Sequence, residues 1–175
     1  MRAVRVVVLA AVLALSPASA VAQAEQARPF AWDVARGALI DPTTYAPALV
    51  SYAAIRQDWK TSQILFEHGW LEQNPRFTGS GRANDVPVSY DEGMRRIRRV
   101  ALTTLMQSTV NNVSIGVAER LLVDRYPRRK TLIRTLSWAE RITFACLLTY
   151  RNSADHLRQA SINRRIARDY GYRSP

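Results

Sequence analysis

Two histidines, His68 and His156, are the only imidazoles in the 175 residues. Glu67, His68 and Glu72 lie close together in the chain, and Asp155 precedes His156 far downstream. A metal centre needs at least three such ligands to converge, and neither histidine stands in an HExxH-like spacing. No metal and no cofactor is therefore expected. Gly79-Ser80-Gly81 lacks the Gly-x-Ser-x-Gly order and the preceding strand of a nucleophile elbow, and reads as a loop tip. Asn112-Val113-Ser114 matches a glycosylation sequon but falls inside a helix expected to be packed. Cys146 is the sole cysteine, so no internal disulfide can form. Its uncharged setting, Ile142 to Tyr150, predicts a buried thiol acting as a small apolar side chain. No residue is assigned a catalytic role, and the chain does not read as an enzyme.

Asp58, Glu72 and Asn74 are harder to dismiss. Asp58 sits between Arg56 and Lys60 on a helix that should bury Trp59. Pairing with an arginine of the second or third helix would fix the register of the fold; a functional carboxylate is the other role open to it. The residues Asp58-x-x-Thr61-Ser62, followed by Gly69-x-x-Glu72-x-Asn74-Pro75, resemble a motif at the end of the first helix in an uncharacterised family of small bacterial helical membrane proteins. The resemblance covers residues 58–75 and brings no activity with it. The charges at the centre of this helix depart from that family's apolar pattern.

The elements that must position these groups are helical. Asp41-Pro42-Thr43-Thr44 resembles a helix start, with Thr44 as a candidate cap and Pro47 in the first turn. The first long helix is expected from Tyr45 to His68, stopped by Gly69. Leu49, Tyr52, Ile55, Trp59 and Phe66 fall on one face of it. Residues 69–88 concentrate glycine, proline and asparagine and form a loop, pinned by Trp70, Leu71 and Phe77. Ser89 with Glu92 three residues on is a capping box that opens a second helix, ended by Pro127. Its expected buried stripe is Leu102, Met106, Val110, Val113, Val117 and Leu121. The third helix should run from Thr131 to Tyr150 with Leu132, Leu136, Trp138, Ile142, Ala145 and Leu148 inward, and helix continues to about Asp169. The fold class is all-α: a bundle of three long helices plus a basic C-terminal helical extension.

Charge bounds the partners. Residues 25–93 carry six basic and nine acidic groups, whereas residues 94–175 carry seventeen basic and five acidic. An acidic partner is implied, either an anionic membrane surface or an acidic protein. Arg158, Arg164, Arg165 and Arg168, outside a thin stripe of Leu157, Ile162 and Ile166, are the candidates to meet it. No nucleic-acid motif is present, and no small-molecule ligand can be named. Residues 1–24 read as a secretory signal, with Arg2 and Arg5, an apolar run from Val6 to Leu15, and cleavage after Ala20 or Ala24. One helical domain, residues 25–175, follows. It is expected in the periplasm or cell envelope.

The uncharged stretch Val100–Ala118 is long enough to raise a membrane-spanning alternative, but Gln107, Asn111 and Asn112 stand at its middle. Three readings stay open: a non-enzymatic envelope protein with a basic surface, a membrane-embedded accessory protein, and a metal-dependent hydrolase.

Overall fold

The computed structural model describes residues 30–172, so the expected signal segment and its cleavage sites lie outside the described residues. A helical lead-in over residues 30–40 precedes three long helices: α1 (Pro42–Phe66), α2 (Tyr90–Arg125) and α3 (Lys130–Asp169). The segment expected as a basic extension continues the third helix without a break, giving α3 a length of 40 residues.

Each boundary has a local cause. Asp41, rather than Thr44, caps α1: its carboxylate accepts from the Thr43 amide at 2.9 Å, with Pro42 in the first turn. At the other end Gly69 takes φ 82°. The Trp70 amide donates to the Leu65 carbonyl at 3.1 Å and the Gly69 amide to Phe66 at 3.0 Å, the paired bonds of a Schellman ending. Ser89 caps α2 through Oγ, which accepts from the Glu92 amide at 3.3 Å. The Glu92 carboxylate does not complete the reciprocal bond. It turns instead to Arg95 (2.8 Å) and Arg96 (2.9 Å), which hold its carboxyl below the usual range. Pro127 ends α2 in a short turn, Pro127–Arg129, that leads directly into α3.

The buried faces are small and polar. In α2 they are Gly93, Ile97, Thr104, Ser108 and Asn112, at spacings of four, seven, four and four. In α3 they are Ala145, Leu148, Ser153, Ala160, Asn163 and Ala167. Such residues let helix backbones approach closely, and their polar atoms then find partners across the gap. Asn112 donates to Thr44 Oγ1 (2.7 Å) and Thr43 Oγ1 (2.9 Å), and Asn152 donates to Thr104 Oγ1 (3.1 Å). Arg141 of α3 lies between Asp41 (3.4 Å) and Glu119 (3.2 Å), all three largely buried. Among the described residues, large apolar side chains form a core cluster toward the loop end, where Ile55, Trp59, Phe77 and Ile97 pack together.

The expected apolar stripe of α2 is thereby corrected. Leu102, Met106, Val110 and Leu121 are about 60% exposed, on the face opposite Thr104, Ser108 and Asn112. Leu49 of α1 and Leu132, Leu136 and Trp138 of α3 also point outward, while Ile55, Trp59, Ala145 and Leu148 are buried as expected. Cys146 is exposed rather than buried. In each case close helix contact selects the small, hydrogen-bonding face, and the bulkier aliphatic face is left outside. In the loop Phe77 is buried, but Trp70 and Leu71 remain exposed.

Gly93 is required by this close approach. An added Cβ would overlap Cε2 and Cζ2 of Trp59, whose ring is 3% exposed and has nowhere to go. Gly93→Ala is expected to cost about 1–3 kcal/mol through overpacking. Gly116→Ala meets Val34 Cγ1 at 3.2 Å, with Arg141 at an ordinary 3.7 Å, and helix propensity worth about 1 kcal/mol offsets the closer contact. Urea denaturation of the two variants should therefore separate them, with only the first clearly destabilised.

Candidate functional site

Asp58 lies one residue before Trp59, on the side of α1 that faces α3. Its partner is a histidine, not the expected arginine. His156 Nδ1 is 2.7 Å from Asp58 Oδ2, and Asn163 Nδ2 donates to Asp58 Oδ1 at 3.2 Å. His156 and Asn163 stand seven residues apart, two helical turns, and so share one face of α3. Asn163 also donates to Ser62 Oγ at 2.9 Å and accepts from Gln159 Nε2 at 2.9 Å. Thr61 and Ser62 return their own hydroxyls to the Asp58 carbonyl, at 2.9 and 3.0 Å, which braces the end of α1 beneath the carboxylate.

The loop supplies the opposite wall. Glu72 pairs with Asp85, and Thr78 with Pro87, as isolated antiparallel bridges, and Pro75–Phe77 forms a single helical turn between them. Asn74 caps that turn, accepting from the Arg76 amide at 3.1 Å, while its own amide donates to Glu72 Oε1 at 2.7 Å. Arg96 of α2 reaches over to the carbonyls of Arg76 (2.7 Å) and Thr78 (3.3 Å) and ties the loop down. Phe77 then stacks on Trp59 with ring centroids 5.2 Å apart.

These parts line a half-open cavity of about 510 Å³. Asp58, Glu72, His156, Asn163 and Gln159 provide its polar lining, and Trp59, Phe66 and Phe77 much of its apolar wall. Burial pushes the Glu72 carboxyl above its ordinary value, with the nearby Asp58 charge acting in the same direction; the Asn74 amide and His156 oppose this in part. An oriented imidazole beside a carboxyl that holds its proton more tightly than usual can exchange protons or hold a polar ligand.

The structure brings Asp58, Glu72 and Asn74 together around one cavity. It adds His156, Asn163 and Gln159, which sequence reasoning did not place there. The signal for them was the seven-residue spacing of His156 and Asn163 within a stripe of alanines. His68 lies elsewhere, its Nδ1 on the Ile64 carbonyl at 2.7 Å and its ring stacked on Tyr172. Among the described residues no group of three or more histidine, cysteine and acidic side chains could hold a metal ion. Arg158, Arg164, Arg165 and Arg168 do not enter the cavity; all four are exposed, and among the described residues none is within ion-pair distance of a carboxylate. The site defines a class of protein, an all-α three-helix bundle with a polar seam that opens into a carboxylate-lined cavity. No known protein family, curated protein or solved structure matches the chain.

The raised pKa of Glu72 carries a sign for stability. The folded state favours the protonated carboxyl, so this group contributes stability below its ordinary 4.5 and loses that contribution as pH rises through the higher folded value. Glu72→Gln keeps an oxygen for the Asn74 amide and removes the charge. Thermal denaturation across this range should show the variant at least as stable as wild type near neutral pH, with the pH-dependent component of the wild type missing.

Proposed function

We propose that this chain is an exported, non-catalytic helical protein that seats on an anionic membrane, its apolar outer stripes against acyl chains and its arginines against lipid phosphates. One observation carries the reading. On α3, Leu132, Leu136, Leu147, Tyr150, Leu157, Arg164 and Arg168 follow one another at spacings of four, eleven, three, seven, seven and four, and all are exposed. Those spacings keep them on one outward strip, apolar for most of its length and basic at its end. Leu102, Met106 and Val110 form a second exposed apolar stripe on α2, with Arg95, Arg98 and Arg99 exposed toward its start.

An exposed apolar surface of this extent marks an interaction site. Its neighbours decide which one. The half of the chain from residue 94 onward carries seventeen basic groups against five acidic ones, and guanidinium groups bind phosphate oxygens in a bidentate manner. No described helix is long and apolar enough to cross a membrane. The proposal is accordingly one of seating at the surface, with the strips inserted among the lipids.

Vesicle flotation tests this. The protein should float with phosphatidylglycerol-containing vesicles and not with purely zwitterionic ones. Replacing Arg158, Arg164, Arg165 and Arg168 by glutamine removes about 1 kcal/mol each at low salt, so binding should weaken by roughly two to three orders of magnitude. Leu102→Gln with Met106→Gln and Val110→Gln should also release the protein without lowering its melting temperature, since these side chains are already exposed. Equal binding to both vesicle types would overturn the reading, as would a loss of stability in the triple variant, which would assign this face to a second copy of the chain.

A further inference from the structure

The cavity between α1, α3 and residues 70–77 differs in charge from the rest of the molecule. Among the described residues no lysine or arginine lines this cavity, while Asp58, Glu72 and Asp155 do. The three carboxylates come from three separate elements. The lining residue able to carry positive charge is His156, and its Nδ1 is already bonded to Asp58. Aromatic rings face the same space: Trp59 and Phe77 are buried and stacked, and Phe66 lies against Trp59 with centroids 5.7 Å apart. A volume of about 510 Å³ lies within the range of small-molecule sites, which run from about 300 to 1,000 Å³.

Carboxylates repel an anion, and an uncharged apolar ligand would leave them desolvated without a partner. A group that donates several hydrogen bonds and carries positive charge suits both the oxygens and the ring faces. We propose that this cavity binds an organic amine, its ammonium group between Asp58 and Glu72 and its apolar body against Trp59, Phe66 and Phe77. Glu72 fits this role because its Oε1 accepts from the Asn74 amide at 2.7 Å, which fixes the carboxylate at the cavity wall, and a carboxylate has about four lone-pair sites, so acceptor capacity remains. Asn163 and His156 hold Asp58 in place and are positioning residues for it.

The site is independent of membrane seating, so its test is run on the full chain without lipid. Calorimetric titration compares phenethylamine with phenylethanol and phenylacetate, which share one apolar body and differ in charge. Phenethylamine should bind, phenylethanol should be weaker by roughly tenfold or more, and phenylacetate should not register. Glu72→Gln should reduce phenethylamine affinity by about tenfold while leaving the fold intact by circular dichroism, and Asp58→Asn should reduce it further. If Asp58→Asn fails to fold, Glu72→Gln alone still decides. Absence of phenethylamine binding, equal binding of the three compounds, or unchanged affinity in Glu72→Gln would each overturn the proposal. Loss of vesicle binding with amine binding intact would remove the membrane reading and leave this one standing.

Discussion

The bond between Asp58 and His156 sets much of what surrounds it. The Asp58 side chain is only 15% exposed, and a carboxylate taken that far from water costs several kcal/mol unless its oxygens are matched. Here both oxygens are matched from α3, by His156 on one side and Asn163 on the other. Because one residue of slip along a helix rotates a side chain by about 100°, only one register of α3 on α1 presents both donors. The same register aligns Asp41 with Arg141 at the far end, so the two helices run parallel and are tied by side-chain bonds at both ends. The cavity exists because this register holds the two helices in place beneath the loop.

That loop would not close a cavity by its own propensities. Glycine, asparagine and proline make it bend, but its position comes from Arg96, whose guanidinium holds the carbonyls of Arg76 and Thr78, and from Phe77, which enters the small apolar core. Glu92 orients Arg96 from below through an i,i+4 pair. One acid in the first turn of α2 thus serves two ends, favourable placement against the helix dipole and orientation of the cation that pins the loop. Glu72 is carried into a partly desolvated position as a consequence, and its raised pKa is the local cost of that placement.

The outward orientation of leucine, valine and methionine on α2 and α3 follows from what lies inward. Serine, threonine, asparagine, alanine and glycine allow the backbones close together, and buried hydroxyls and amides find partners only across the helix interfaces. Among the described residues, Ser51 Oγ and Arg141 Nε fall short of this, buried without a partner. In water alone such an arrangement would expose apolar area at a loss of about 25 cal/mol per Å². Close helix contact through the small polar face therefore leaves the larger aliphatic side chains on the outer faces.

The sequence by itself determined the helices and most of their ends. Gly69 stops α1, Ser89 caps α2 and Pro127 ends it, because these are signals of local backbone chemistry that need no tertiary partner. It also singled out Asp58, Glu72 and Asn74 as residues without a comfortable place in an ordinary bundle. It could not say which face of α2 lies inside. A stripe of Leu102, Met106 and Val110 and a stripe of Thr104, Ser108 and Asn112 have the same helical period, so period alone does not choose between them. Asn112 reaching Thr44, and His156 reaching Asp58, are contacts across 68 and 98 positions of chain. Such pairings depend on the packing distance and register of whole helices, which no local spacing encodes, and the tertiary structure alone decided them.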